Sequence, residues 1–203
     1  LEYLIAMTLM AIVSILGIRL SYGKKWEGTD VHFLALGAGF LLLETRGITV
    51  LSVLAGSTWT VNAAIFAGIL TMGLAATAWA AWRLGKSETN KLPVPYYVIL
   101  ALFLIVNFLT PVNLLAALPF TAKLALGAAL LSLPLFASGV IFATSIRRCS
   151  GLSRALASNL IGALLGGLLE YVSMSTGFRY LLILAALFYF LAFTADFKDR
   201  NKA

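Results

Sequence analysis

The chain has 203 residues, of which 61% are hydrophobic and 11% charged, with a formal net charge of +7. Soluble domains carry about 25% charged residues, and no single core of this size could withdraw so much apolar surface from water. The basic residues sit in the gaps between apolar runs, so membrane topology explains the charge and nucleic acid is excluded as the partner it implies. The apolar runs are about 20 residues long and do not alternate with polar residues, which selects helices over a barrel.

Seven crossings are expected in an all-α, polytopic transmembrane bundle forming one domain over residues 1–203. The first is Leu1–Leu20, which lacks a basic leader and a small-residue cleavage site and so reads as a membrane helix. A polar connection, Ser21–Asp30, carries Trp26 at interface level. The second crossing is Val31–Leu54. It contains Glu44 and Arg46 well inside the apolar run, where charge is expensive and tends to have a purpose. Gly56, Ser57, Thr58 and Trp59 form the corner before the third crossing, Thr60–Trp82. After the polar Arg83–Leu92 comes the fourth, Val94–Leu109. Thr110–Lys123 is moderately apolar and is expected along the membrane surface. The fifth crossing, Leu124–Ile146, holds Pro134, which removes one helical hydrogen bond and should kink the helix. The sixth is Ala155–Met174 and the seventh Phe178–Thr194. The tail Ala195–Ala203 is expected to fray.

This segmentation places Arg19, Lys24, Lys25, Arg83, Lys86, Lys91, Arg147, Arg148, Arg154, Lys198, Arg200 and Lys202 on one side. These are twelve of the 15 Lys and Arg residues. Lys123 and Arg179 fall on the other side and Arg46 lies within. The positive-inside rule then puts the C-terminus in the cytoplasm and residue 1 outside. The absence of Met at residue 1 points to processing or to a longer polypeptide.

Glu44 and Arg46 are two apart, so they face different sides of one helix and need other partners. The sixth crossing offers one. Ser158, Gly162 and Gly166 form a small-residue row beside Asn159, Ala163 and Gly167, and Gly162 to Gly166 is a GxxxG pattern for close helix approach. Glu170 lies on that face at about the depth of Arg46. The second and sixth crossings are therefore expected to pack together, with Arg46 paired to Glu170 and Arg179 as the competing partner for this intramembrane polar site. Glu44 is left without a partner and is a candidate proton or cation site. Asn62, Asn107 and Asn113 are candidates to line a polar path or to bridge helices.

Other chemistries lack their residues. A lone cysteine, Cys149, allows no intrachain disulfide and no cysteine metal cluster. His32 is the one histidine; at a helix start it reads as interfacial, which gives serine catalysis no base. No P-loop and no HExxH zinc motif occurs, and the seventh crossing has no lysine for retinal. No catalytic residue, metal or cofactor is expected.

The stretch LLLETRGITVLSVLAGSTWTVNA, with Glu44, Arg46 and the Gly56-Ser57-Thr58-Trp59 corner, resembles the membrane portion of bacterial spermidine-synthase-like (polyamine aminopropyltransferase-like) integral membrane proteins. SNLIGALLGGLLEYVSMSTGFRYLLILA, Ser158–Ala185, is similar to that family's Asn-x-x-Gly-Ala helix and its successor. In such proteins a Rossmann-like domain binds an S-adenosylmethionine-type cofactor. This chain has no G-x-G-x-x-G after a strand and no acidic ribose-binding position, so none of the catalytic residues carries over. The resemblance implies a membrane module of the bacterial cytoplasmic membrane, with an upstream domain or other subunits as partners besides the lipid bilayer. The leading expectation is a non-catalytic anchor or scaffold of a larger membrane protein or complex. The alternatives are a transporter of a small solute, cations included, working through Glu44, and the membrane part of an enzyme whose catalytic domain lies elsewhere.

Overall fold

A computed structural model describes residues 29–84, 94–171 and 173–200, with positions 5, 8, 9, 12, 13 and 16 of the first apolar run. Those six positions are helical. The rest of the expected first crossing, the connection holding Trp26 up to residue 28, and most of Arg83–Leu92 lie outside the described residues. Eight helices follow: α1 (Val31–Ala55), α2 (Trp59–Leu84), α3 (Val94–Leu109), α4 (Val112–Ala116), α5 (Phe120–Arg148), α6 (Leu152–Glu170), α7 (Ser173–Thr176) and α8 (Tyr180–Arg200). The described residues include no strand.

Helices α1, α2, α5, α6 and α8 are long and apolar enough to cross a membrane, and α3 is a shorter apolar helix. Large apolar side chains point outward along them, among them Leu70, Leu74, Leu102, Leu160, Leu187 and Phe190. An exterior of this kind is unfavourable in water and matched by lipid. These are the features of a multi-pass integral membrane protein.

Helix α1 is the central post, packing against α6, α8, α5 and α2. Its ends follow from local chemistry. The Asp30 carboxylate caps the start by accepting from the Phe33 N–H at 3.2 Å, satisfying one of the orphan donors of a first turn. At the other end the Gly56 N–H donates to the Ser52 carbonyl while Gly56 takes φ +94°, a conformation that only glycine adopts without a steric penalty. The Thr58 hydroxyl then accepts from the Val61 N–H at 3.4 Å, and Trp59 opens α2 with its ring exposed.

Three boundaries differ from the sequence reading by about four residues or more. The fifth crossing starts earlier, at Phe120, because Pro119 ends the preceding turn and its carbonyl accepts from Lys123 N–H. The sixth ends at Glu170 rather than Met174, and Ser173–Thr176 is a separate short helix closed by Gly177 at φ +91°. The last helix does not fray after Thr194 but continues to Arg200, with Asp196 drawn to Arg148 of α5 at 3.4 Å. The segment read as lying along the surface holds the short α4.

Pro134 sits within a continuous α5. Lacking an N–H, it leaves the Leu130 carbonyl without its usual helical donor. Asn107 of α3 supplies the replacement, its side-chain amide donating to Leu130 O at 3.0 Å. The gap that Pro134 leaves in the hydrogen-bond ladder of α5 is thus filled from a neighbouring helix.

Candidate functional site

The small residues of α6 form a seam with α1. A side-chain carbon placed at Gly162 would collide with the Leu34 carbonyl, and one at Gly37 with the Asn159 carbonyl. At Gly166 it would stand 2.6 Å from the Ala38 carbonyl, and at Gly167 3.0 Å from the Leu41 side chain. Ser158 is fully buried and its hydroxyl accepts from the Asp30 N–H at 2.9 Å. Asn159 donates to the Phe33 carbonyl at 3.2 Å. Ala163 belongs to the same seam, its backbone nitrogen next to Gly37. The pairs Leu34–Gly162 and Ala38–Gly166 advance together along both chains, so the two helices run parallel.

That register also sets the depth of the carboxylates. Carried one turn on, it sets Glu170 opposite Leu42, with Glu44 two residues further along α1. Both are half-buried. Among the described residues neither carries an ion pair or a hydrogen bond from its side chain.

Arg46 does not pair with Glu170. It is buried at 7% exposure, and its Nη1 and Nη2 donate to the Oδ1 and the main-chain carbonyl of Asn107 at 3.4 and 3.5 Å. Its Nε has no partner. The reason is rotational. Arg46 and Val50 lie on the α1 face toward α3, whereas the α6 seam follows Leu34, Ala38 and Leu41. Arg179, the expected competitor, is exposed. It donates from Nη2 to the Phe108 carbonyl at 2.9 Å, and its guanidinium lies 4.3 Å from the Phe108 ring centroid. Arg46 and Arg179 come together on one cavity of about 290 Å³, with Asn107 and Phe108 between them.

His32 was expected at the interface and is instead buried, 5% exposed. Its Nδ1 lies 2.9 Å from the Ala192 carbonyl and its Nε2 2.9 Å from the Ser145 hydroxyl. A carbonyl can only accept, so Nδ1 carries the proton. Arg148 donates to the same Ser145 oxygen at 3.3 Å. The imidazole therefore ties α1 to α8 and α5. A serine beside a histidine has the outline of a nucleophile and base, yet both are sealed from solvent and line none of the three main cavities.

The largest of those cavities, about 590 Å³, is an apolar groove between α3 and α8, bordered by Val98, Leu104, Ala186 and Phe190. Glu44 lines none of the three. Among the described residues no group of His, Cys, Asp and Glu could hold a metal ion. Cys149 is a free thiol donating to the Ile146 carbonyl.

The key residue that sequence reading undervalued is Asn107, named there only as one of three asparagines. The available signal was Pro134: a proline inside an apolar helix calls for a donor from a neighbouring one. The Asn113 side chain lies outside the described residues. No protein family, curated protein or solved structure matches the chain.

Proposed function

We propose that the chain is a seven-crossing, non-catalytic module of a bacterial cytoplasmic membrane, with its C-terminus inside, that anchors or scaffolds a larger protein or complex. The observation that carries this reading is the use of its interior polar groups. His32 joins α1 to α5 and α8, Asn107 joins α3 to α5, and Asn159 joins α6 to α1. These groups are occupied in holding helices together and do not converge on a reacting centre. The asymmetry of Lys and Arg supports the orientation. The likeness of the Glu44–Trp59 stretch to spermidine-synthase-like proteins supports a module that accompanies a catalytic domain. Transport through Glu44 is disfavoured because that carboxylate borders none of the three main cavities.

The test is purification from native membranes in mild detergent together with reconstitution. The chain should emerge bound to further polypeptide, and liposomes bearing it should pass no small cation beyond empty liposomes. A chain that emerges alone and supports a cation flux abolished by Glu44→Gln would overturn the reading in favour of transport.

A further inference from the structure

The guanidinium of Arg46 lies inside the bundle without a carboxylate. It is 7% exposed, its two hydrogen bonds to Asn107 are long, and its Nε has no partner. Among the described residues no ion pair joins it to an Asp or Glu within 4 Å. A buried charge left in this condition is costly unless an opposite charge and further hydrogen bonds reach it. Its cavity adds a second cation, Arg179, fixed by the Phe108 carbonyl and ring. Two guanidiniums facing one cavity repel each other until an anion stands between them.

We infer that the Arg46–Arg179 cavity is a binding site for a phosphate ester. A carboxylate is saturated by one guanidinium fork, whereas a phosphate has oxygens enough for two. Apart from Asn107 and Thr110 the remaining walls, including Val50, Leu109, Pro111 and Phe178, are apolar and suit the organic part of an ester rather than a bare ion. Arg179, Thr110 and Pro111 belong to the connections at one end of the bundle, while Arg46 lies nine residues inside α1, roughly 14 Å from its end at 1.5 Å per residue. The cavity therefore leads inward from the bundle end. At about 290 Å³ it holds a headgroup or a small soluble ester. Both sources share the chemistry: a phosphate clamped by two guanidiniums.

The test uses the full chain purified in detergent, with two pairs of probes. Phosphatidylglycerol is compared with diacylglycerol of the same acyl chains by native mass spectrometry, and glycerol 3-phosphate with glycerol by titration calorimetry. The phosphate-bearing member of at least one pair should bind in preference to its phosphate-free partner. Arg179→Gln and Arg46→Gln should each weaken that binding about tenfold or more, the scale of a lost charge-assisted hydrogen bond. Binding of the lipid alone identifies a membrane lipid as the source, binding of the soluble ester alone identifies a soluble one, and each supports the site. Should Arg46→Gln not fold, Arg179→Gln decides, because Arg179 is exposed. The inference is overturned if neither phosphate probe binds, if the phosphate-free partners bind equally well, or if Arg179→Gln leaves the affinity unchanged.

Discussion

Replacing Asn107 with Ala should destabilise the bundle mainly through a residue it never neighbours in sequence, Pro134. The Asn107 amide is 3.0 Å from the Leu130 carbonyl, the acceptor that Pro134 cannot serve. Removing it orphans that carbonyl at a cost of about 1–3 kcal/mol. Arg46 also loses the Oδ1 acceptor at 3.4 Å, while the main-chain carbonyl of Asn107 stays in place. The amide's other bond, to the Phe103 carbonyl, duplicates one the helix already supplies and adds little. In a Pro134→Ala background residue 134 regains an N–H, and the helix satisfies Leu130 by itself. The cost of Asn107→Ala should then fall by about 1–2 kcal/mol, the range expected for coupled neighbours. The assay is reversible unfolding in mixed micelles of the four proteins in the cycle. Additive effects, agreeing within about 0.5 kcal/mol, would refute the claim that Asn107 fills the gap left by Pro134.

Three further outcomes follow from the same packing. Gly162→Ala should cost about 1–3 kcal/mol, because its new carbon meets the Leu34 backbone and not a movable side chain, whereas Gly73→Ala, with open space around it, should be neutral or stabilising; thermal unfolding of the two compares them directly. Gly56→Ala should cost about 1–2 kcal/mol, since φ +94° lies in the left-handed region, and the same unfolding measurement checks it. Ser145→Ala should cost about 1–3 kcal/mol by leaving the His32 Nε2 without its partner, and a double-mutant cycle with His32→Ala should show the two losses to be non-additive.

Much of this architecture was legible in the sequence where one local rule dominated. Val94–Leu109 is a helix with the expected bounds because an apolar run with Asn107 as its one amide side chain lies there between Pro93 and Pro111 of the sequence. The seam between α1 and α6 was visible as a stripe of small residues, since only close backbone approach explains glycine at that spacing. The Gly56 corner was readable for a similar reason. Partner choice was not legible. Arg46 and Glu170 share a depth range, but depth does not fix the rotation of one helix against another, and Arg46 lies on a different side of its helix from the Leu34–Ala38–Leu41 seam, facing Asn107. His32 looked interfacial because its neighbours Asp30 and Val31 mark a helix start; its burial depends on α8 passing over that start, as Ala192 O shows. The continuation of α8 to Arg200 was hidden by its charges, of which Asp196 is drawn inward by Arg148.

The most direct test of the proposed membrane module is sidedness. In a Cys149→Ser background, a cysteine replacing Ser57, in the corner between α1 and α2, and another replacing Ser150, between α5 and α6, can each be probed in intact cells with a membrane-impermeant thiol reagent. The cysteine at position 57 should label in intact cells, and the one at position 150 should label only after permeabilisation. Labelling of both from the same side, or in the reverse order, would contradict the account.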